Sequence, residues 1–130
     1  MIRDIGDVLD RWSIAKLKAE RIGSDESKRE FAAFEAELEG NKMKDFGRLL
    51  YDINDAIWVL ESGLKSGKEK LANPHYILDS ANQEALAKIG LTSVLIRNFN
   101  HLRVGYKNMV NKLAGEGFQD QKQDHLSEGV

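Results

Sequence analysis

Apolar residues recur every three or four positions along three long stretches of this chain, and none of those stretches contains a proline. The single proline, Pro74, lies between the second stretch and the third. Because 3–4 spacing places side chains on one face of a helix and proline interrupts helices, this pattern predicts an all-α fold. No segment shows the alternation of a β-strand. We therefore expect an antiparallel helical bundle of three long helices and one short acidic helix, with a long C-terminal helix.

Glycines and capping residues predict where these helices begin and end. Gly23 favours a helix end and Ser24 is a good N-cap, so together they separate the first long helix from the acidic helix. Gly90 lies inside the last helix and is a candidate bend. The predicted ranges are Arg3–Ile22 for the first long helix, Asp25–Glu39 for the acidic helix, Met43 to Leu64 for the second long helix, Ser66–Asp79 for a loop, and Ser80 to about Ala114 for the third long helix.

Length and composition limit the class of protein. A chain of 130 residues has the usual size of one domain, so we expect residues 1–115 to form a single helical domain and residues 116–130 a polar, mobile tail. No apolar run approaches the ~18–20 residues of a membrane span, and the N-terminus carries acids where a signal peptide needs cations. With no cysteine as well, we expect a cytoplasmic protein without a membrane partner.

Charge is distributed unevenly although the net charge is only −2, a value that predicts no nucleic-acid partner. Six acids lie between Asp25 and Glu39, whereas the stretch from Ala85 to Gly115 has five cations and no acid. Two segments of opposite charge either neutralise each other within one fold or leave the basic segment free to bind an anion.

Each long helix also carries a second row of residues beside its apolar stripe. The stripe of the third helix is the clearest, and a helical bundle normally buries such a face. The second rows mix large apolar and charged groups, so they meet at a dimer interface, wrap around a central helix, or line a pocket. The stripe of the third helix is Leu95, Phe99, Leu102, Tyr106, Met109 and Leu113; the second rows are Asp10, Ile14, Leu17 and Arg21, then Asn54, Trp58, Glu61 and Lys65, then Ile89, Ser93, Ile96, Asn100, Arg103, Lys107 and Asn111.

Helix length favours self-association. At 1.5 Å per residue the third helix spans about 50 Å, whereas the first spans ~30 Å. The overhang needs a partner, and a two-fold homodimer is the commonest arrangement. We therefore expect a homodimer, with another protein as the alternative partner.

Three blocks of the sequence resemble a known family. They are Ile5-Gly6-Asp7-Val8-Leu9-Asp10-Arg11-Trp12-Ser13-Ile14 continuing to Lys18 and Glu20-Arg21-Ile22, then Ile53-Asn54-Asp55-Ala56-Ile57-Trp58 with Glu61, then Asn100 and Arg103 with Lys107 and Asn111. They are similar to small all-helical bacterial and phage domains of unknown function, found near or within glycosyltransferase and surface-polysaccharide proteins. His101 departs from the pattern, because the family usually has an acid there. The resemblance implies an all-helical fold and no particular reaction.

Two functions remain open on the sequence alone. The first is a non-catalytic, homo-oligomeric interaction module. The second is a binding protein or weak enzyme for a phosphorylated small molecule, such as a nucleotide or sugar nucleotide, because arginine and lysine beside amides can grip phosphate. The candidate ligand-binding residues are Asn100, Arg103, Lys107, Asn111, Glu61, Asn54, Trp58, Asp10 and Arg21.

Catalytic and metal sites find little support in the sequence. No catalytic residue is assigned, and the isolated histidines do not form a zinc motif. Asp4, Asp7 and Asp10 share helical spacing, and carboxylates from two helices can hold Mg²⁺. The third helix, however, lacks the acids that such helical hydrolases use, and Asp4 and Asp7 also favour the helix dipole. We expect no cofactor, and an enzyme is the less favoured interpretation.

Overall fold

The structure, a computed structural model, describes residues 4–70 and 80–115. Within these ranges the secondary structure is helical and no strand occurs, so the all-α prediction is confirmed. The predicted tail, 116–130, and the centre of the predicted loop, 71–79, lie outside the described residues. The elements are α1 (Ile5–Arg21), α2 (Asp25–Glu37), a short 3₁₀ helix (Lys44–Phe46), α3 (Gly47–Lys70) and α4 (Ser80–Leu113).

The chain divides into two units. The first comprises Met1–Asp55 together with His101–Val130, and the second comprises Ala56–Asn100. The boundaries therefore fall inside α3 and α4. In neither described range is a helix both long enough and apolar enough to cross a membrane.

Capping residues set the ends of the first two helices; Gly23 and Ser24 do so as predicted, whereas Asp4 caps α1 after the predicted start at Arg3. The Asp4 side chain accepts a hydrogen bond from the backbone N of Asp7 at 2.7 Å, and Ser24 Oγ accepts one from the backbone N of Ser27 at 3.1 Å. Gly23 has a φ of +69°, a conformation that glycine adopts without steric cost. The chain can therefore end α1 at Arg21 and begin α2 at Asp25.

α3 differs from the prediction at both ends. It begins at Gly47 rather than Met43, after the 3₁₀ helix, and it continues to Lys70, so residues 66–70 are helical rather than part of a loop. Gly47 lies against the ring of Trp12: an added Cβ would be 2.8 Å from Trp12 Cζ3. This close approach places the start of α3 on α1. The sequence at Ser66–Lys70 contains serine and glycine but no proline, so nothing in it forces the helix to stop.

The core of the first unit lies mainly on α1. Leu9 is fully buried among residues of α3, α4 and the segment after α2, and several aromatic side chains cover the edge of this cluster. Burial of this kind is the main favourable contribution to folding. The buried members are Ile5, Val8, Leu9, Trp12, Leu38, Leu50 and Val110, and the half-buried members are Phe31, Phe34, Met43, Phe46, Tyr106 and Ala114.

The face of α4 that is buried in the first unit is not the apolar stripe, which the sequence predicts to be buried. In the first unit, Lys107, Val110 and Asn111 are buried, whereas Leu102 and Met109 are 53% and 45% exposed. The predicted stripe is therefore largely on the surface and the second row faces the core. The physical reason is that Asp7, Asp10 and Gly6 of α1 provide partners for Lys107 and Asn111.

Candidate functional site

Three polar side chains of α1 and α3 meet inside the first unit. Asn54 Nδ2 donates hydrogen bonds to Asp10 Oδ1 at 2.9 Å and to Ser13 Oγ at 2.8 Å. Ser13 Oγ donates in turn to the backbone oxygen of Asp10 at 2.7 Å. All three residues are buried. Because a buried polar group is costly without a partner, this matched set fixes α3 against α1.

Two cations of α4 approach the same group of side chains. Arg103 Nε lies 3.6 Å from Asp10 Oδ1, and Arg103 Nη1 donates to Asn54 Oδ1 at 3.4 Å. Lys107 Nζ lies 3.3 Å from Asp7 Oδ1 and 3.9 Å from Asp10 Oδ2. The Lys107 side chain is only 7% exposed, so its charge depends on these two carboxylates.

Asp7 forms the outer edge of the network. Arg11 Nε lies 2.8 Å from Asp7 Oδ2, on the solvent side of the carboxylate. Burial raises the pKa of Asp7, but the hydrogen bonds and charges of Arg11 and Lys107 together outweigh burial and hold this pKa below its usual value. Asp7 therefore stays ionised at neutral pH and balances Lys107.

Asn111 links α4 to the start of α1. Its Oδ1 accepts a 2.7 Å hydrogen bond from the backbone N of Gly6, one of the amides that a helix start leaves without an internal partner. An added Cβ on Gly6 would lie 2.5 Å from the backbone oxygen of Lys107. Glycine at this position therefore lets the two helices touch.

Five of the nine sequence-predicted site residues thus belong to one network in the first unit. They come from α1, α3 and α4. These five are Asp10, Asn54, Arg103, Lys107 and Asn111.

The other four predicted residues have different surroundings. Arg21 forms an ion pair with Asp55 in the first unit. Trp58, Glu61 and Asn100 belong to the second unit, where Glu61 is exposed and the other two are half-buried. Ser62 Oγ donates to the backbone oxygen of Trp58 at 2.9 Å. These four residues do not take part in the contacts described for the network.

Sequence reasoning missed three members of the network. Gly6 and Ser13 were passed over because glycine and serine carry no charge, and Asp7 was assigned to the helix dipole. For Asp7 and Gly6 the sequence held no signal, because their partners Lys107 and Asn111 are distant in sequence and only the fold brings them together. Ser13, three residues after Asp10, shares its helical face.

The network is arranged for pairing rather than for reaction. Two carboxylates, Asp7 and Asp10, oppose two cations, Arg103 and Lys107, so an added phosphate would compete with carboxylates already in place. The Ser13 hydroxyl donates to a backbone oxygen and accepts from Asn54 Nδ2, and within the described residues no hydrogen bond joins it to a basic side chain. Arg103 Nε is buried and makes no hydrogen bond within the described residues, so its contact with Asp10 is looser than the hydrogen bonds of Asn54. Such buried ionic networks commonly serve packing alone.

Metal binding receives no support from the described part of the chain, where no three histidine, aspartate or glutamate side chains converge. The carboxylates of Asp7 and Asp10 form ion pairs with Lys107 instead, and the Asp4 side chain caps α1.

The second unit contains a separate open hollow of about 450 Å³ between its parts of α3 and α4. Close packing beside it depends on Gly67, where an added Cβ would lie 3.3 Å from Ile89 Cγ1. None of the nine predicted site residues lines this hollow. Its walls include Leu64, Ser66 and Gly67 of α3 and Lys88, Ile89 and Thr92 of α4.

Comparisons with models of known protein families, with curated proteins and with solved structures found no match. The likeness of the three sequence blocks to the small helical domains therefore stays a prediction.

Proposed function

We propose that the chain is a non-catalytic helical interaction module that self-associates through the outward face of α4. One observation carries this proposal: large apolar side chains are exposed along the whole helix. Contiguous exposed apolar surface usually marks a binding site. The exposed fractions are 62% for Leu91, 36% for Leu95, 53% for Leu102, 45% for Met109 and 60% for Leu113.

The spacing of these side chains supports a helical partner. Leu95, Leu102 and Met109 follow one another at intervals of seven residues, which is the repeat that two packed helices share. From Leu91 to Leu113 the stripe extends for about 33 Å at 1.5 Å per residue. A second α4 offers a stripe with the same length and spacing, so a second copy of this chain is the partner that the surface fits.

The expected affinity is modest. Burying the exposed half of a leucine or methionine contributes about 1 kcal/mol, so five such residues on each of two copies contribute roughly 10 kcal/mol. The loss of translational and rotational freedom costs roughly 4–15 kcal/mol. Because these two quantities are similar, we expect a reversible dimer that dissociates on dilution.

The buried polar residues of the first unit support the proposal that the module is non-catalytic. Asp10, Asn54, Lys107 and Asn111 are buried and bonded to one another or to backbone groups, so they stabilise the chain and leave α4 free to present its other face. The antiparallel packing of the long helices, expected from the sequence, is part of the same proposal.

Sedimentation equilibrium over a wide range of protein concentration tests self-association directly. We expect the wild-type chain to shift from monomer to dimer as its concentration rises. Leu102→Glu should shift this equilibrium strongly towards monomer, because a carboxylate would be buried opposite an apolar surface. Its unfolding temperature at low concentration should change little, since the wild-type side chain is exposed.

Leu49→Glu is a matched control, because Leu49 of α3 is 46% exposed and lies off α4. We expect this variant to associate like the wild type. A wild-type chain that stays monomeric at all concentrations would contradict the proposal. Equal dissociation by both variants would place the interface elsewhere.

A further inference from the structure

Gly105 lies on the exposed side of α4, and no contact within residues 4–70 and 80–115 requires a glycine there. An added Cβ would meet no atom within 4 Å, and Gly105 is not among the glycines with positive φ. Glycine inside a helix is less favourable than alanine. Gly63 and Gly90 share both properties, so what distinguishes Gly105 is its place on the outward apolar face of α4, where the missing Cβ lets a second backbone approach.

Asn98 is a polar residue on the same face of α4 as Gly105. It is exposed, and its side chain makes no hydrogen bond or ion pair with any residue in the described ranges. It also continues the spacing of the apolar stripe. Intervals of four and three residues alternate through Leu91, Leu95, Asn98, Leu102, Gly105 and Met109, which is the spacing of a coiled-coil seam.

We propose that a second copy of the chain packs its α4 against this seam in parallel and in register, with Asn98 as the residue that sets orientation. This inference rests on the self-association proposed above. Asn98 then faces the partner's Asn98, and Gly105 faces the partner's Gly105. Paired amides can hydrogen-bond to each other, and paired glycines let the two helices approach closely.

The opposite orientation would leave the asparagine without a partner. In an antiparallel pair, the two kinds of seam position face each other, so Asn98 would lie opposite Leu95, Leu102 or Met109 of the second helix. Its amide would then be buried against apolar groups and lose its bonds to water. A single seam asparagine is a known means of fixing register in paired helices.

The ends of the seam are compatible with this arrangement. Lys88 and Lys112 continue the seam beyond Leu91 and Met109, and both are exposed. Their long apolar stems can cover the seam while the ammonium groups reach water. Lys88 also has Glu84 as an ion-pair partner at 3.7 Å.

Single-cysteine variants test the orientation, because the chain contains no cysteine of its own. Leu95→Cys, Leu102→Cys and Met109→Cys are made separately and oxidised with oxidised glutathione at a concentration where sedimentation shows the dimer. In a parallel, in-register pair each cysteine faces its equivalent within disulfide reach, so all three variants should cross-link. Arg97→Cys, exposed but off the seam, is the control and should cross-link far less.

Each outcome of this experiment has a distinct meaning. Cross-linking at only one of the three positions would exclude a parallel, in-register pair and overturn the inference, while self-association would stand. A dimer that cross-links at none of them would overturn the inference as well, because an antiparallel pair places Leu95, Leu102 and Met109 opposite the other kind of seam position. A chain that remains monomeric in sedimentation would remove the proposed function as well.

A glycine substitution gives a second readout that a merely structural role would not produce. Gly105→Ala should raise the unfolding temperature of the dilute monomer, because alanine favours the helix, yet weaken dimerisation at least tenfold. Gly90→Ala is the matched control: Gly90 is exposed on α4, has open space around it and lies off the seam. It should raise the unfolding temperature and leave dimerisation unchanged. Unchanged dimerisation in Gly105→Ala would overturn the close approach.

Discussion

Asn111 Oδ1 accepts a 2.7 Å hydrogen bond from the backbone N of Gly6, so the last helix of the chain satisfies an amide at the start of the first. The same contact brings the Gly6 Cα against the backbone of Lys107. Residues 105 positions apart in sequence therefore close the first unit. This contact also determines which face of α4 points inward, because Lys107 and Asn111 lie one helical turn apart.

Gly6→Ala is expected to destabilise the chain although alanine is the better helix former. The new Cβ would lie 2.5 Å from the Lys107 backbone oxygen and 2.9 Å from Asn111 Oδ1, so α1 and α4 must separate. Overpacking of this kind costs about 1–3 kcal/mol. Urea unfolding measures the loss.

Gly63→Ala is the control for this change, because open space surrounds Gly63 on α3. It should be neutral or stabilise by up to ~1 kcal/mol. Similar midpoints for the two alanine variants would show that α1 and α4 do not meet at Gly6.

Asp10→Ala is expected to be among the most damaging single substitutions. It removes the acceptor of Asn54 Nδ2 and the carboxylate beside Arg103 and Lys107, leaving a buried lysine with one partner. Breaking a buried pair typically costs about 3–5 kcal/mol. Chemical unfolding should show this loss, whereas Asp52→Ala, at an exposed aspartate of α3, should change stability by less than ~0.5 kcal/mol. A small effect of Asp10→Ala would mean that water already solvates the network.

Local signals in the sequence predict much of the fold. Gly23 and Ser24 act through neighbours within a few residues, so the end of α1 and the start of α2 follow from the sequence alone, whereas the cap at Asp4 was not predicted. The all-helical class follows equally from the apolar spacing. The extension of α3 to Lys70 was missed because serine and glycine weaken a helix without ending it.

The orientation of α4 depends on distant residues and was predicted wrongly. Its leucine stripe is the more apolar face, yet Lys107 and Asn111 are buried because Asp7, Asp10 and Gly6 on α1 provide partners for them. Hydrophobic periodicity identifies an apolar face but not which element, if any, covers it. The network residues were identified on helical rows, while their pairing required the fold.

Tyr51 should ionise late in an alkaline titration. Its hydroxyl donates a 2.5 Å hydrogen bond to Glu20 Oε1, and this bond, aided by partial burial, raises the pKa of Tyr51 to about 12. A raised pKa means that the neutral phenol stabilises the fold below pH ~10 and that this contribution disappears as the pH rises towards 12. Absorbance of the phenolate follows the titration.

Two variants assign this late titration. Tyr51→Phe should remove a late-ionising phenol, and Glu20→Gln should lower the pKa of Tyr51 towards its usual value. Tyr106, whose pKa burial also raises, remains in both variants as an internal reference. An unchanged titration in Glu20→Gln would show that the hydrogen bond to Glu20 is absent in solution.

Acid should weaken the first unit through Asp7. The pKa of this carboxyl lies below its ordinary value of 3.8, despite burial, because Arg11 and Lys107 favour the ionised form. Its contribution to stability is therefore complete above pH ~3.8 and is lost as the pH falls through the lower folded-state pKa. Urea midpoints measured between pH 6 and pH 2.5 should decline most steeply in the lowest part of that range.

The Asp7→Asn variant should have a lower urea midpoint than the wild type at pH 6, and its midpoint should decline less below pH 3.8. Asp52→Asn, exposed on α3, is the control and should follow the wild-type curve. If Asp7→Asn kept the full acid dependence, the link between Asp7 and Lys107 would not be holding α1 to α4.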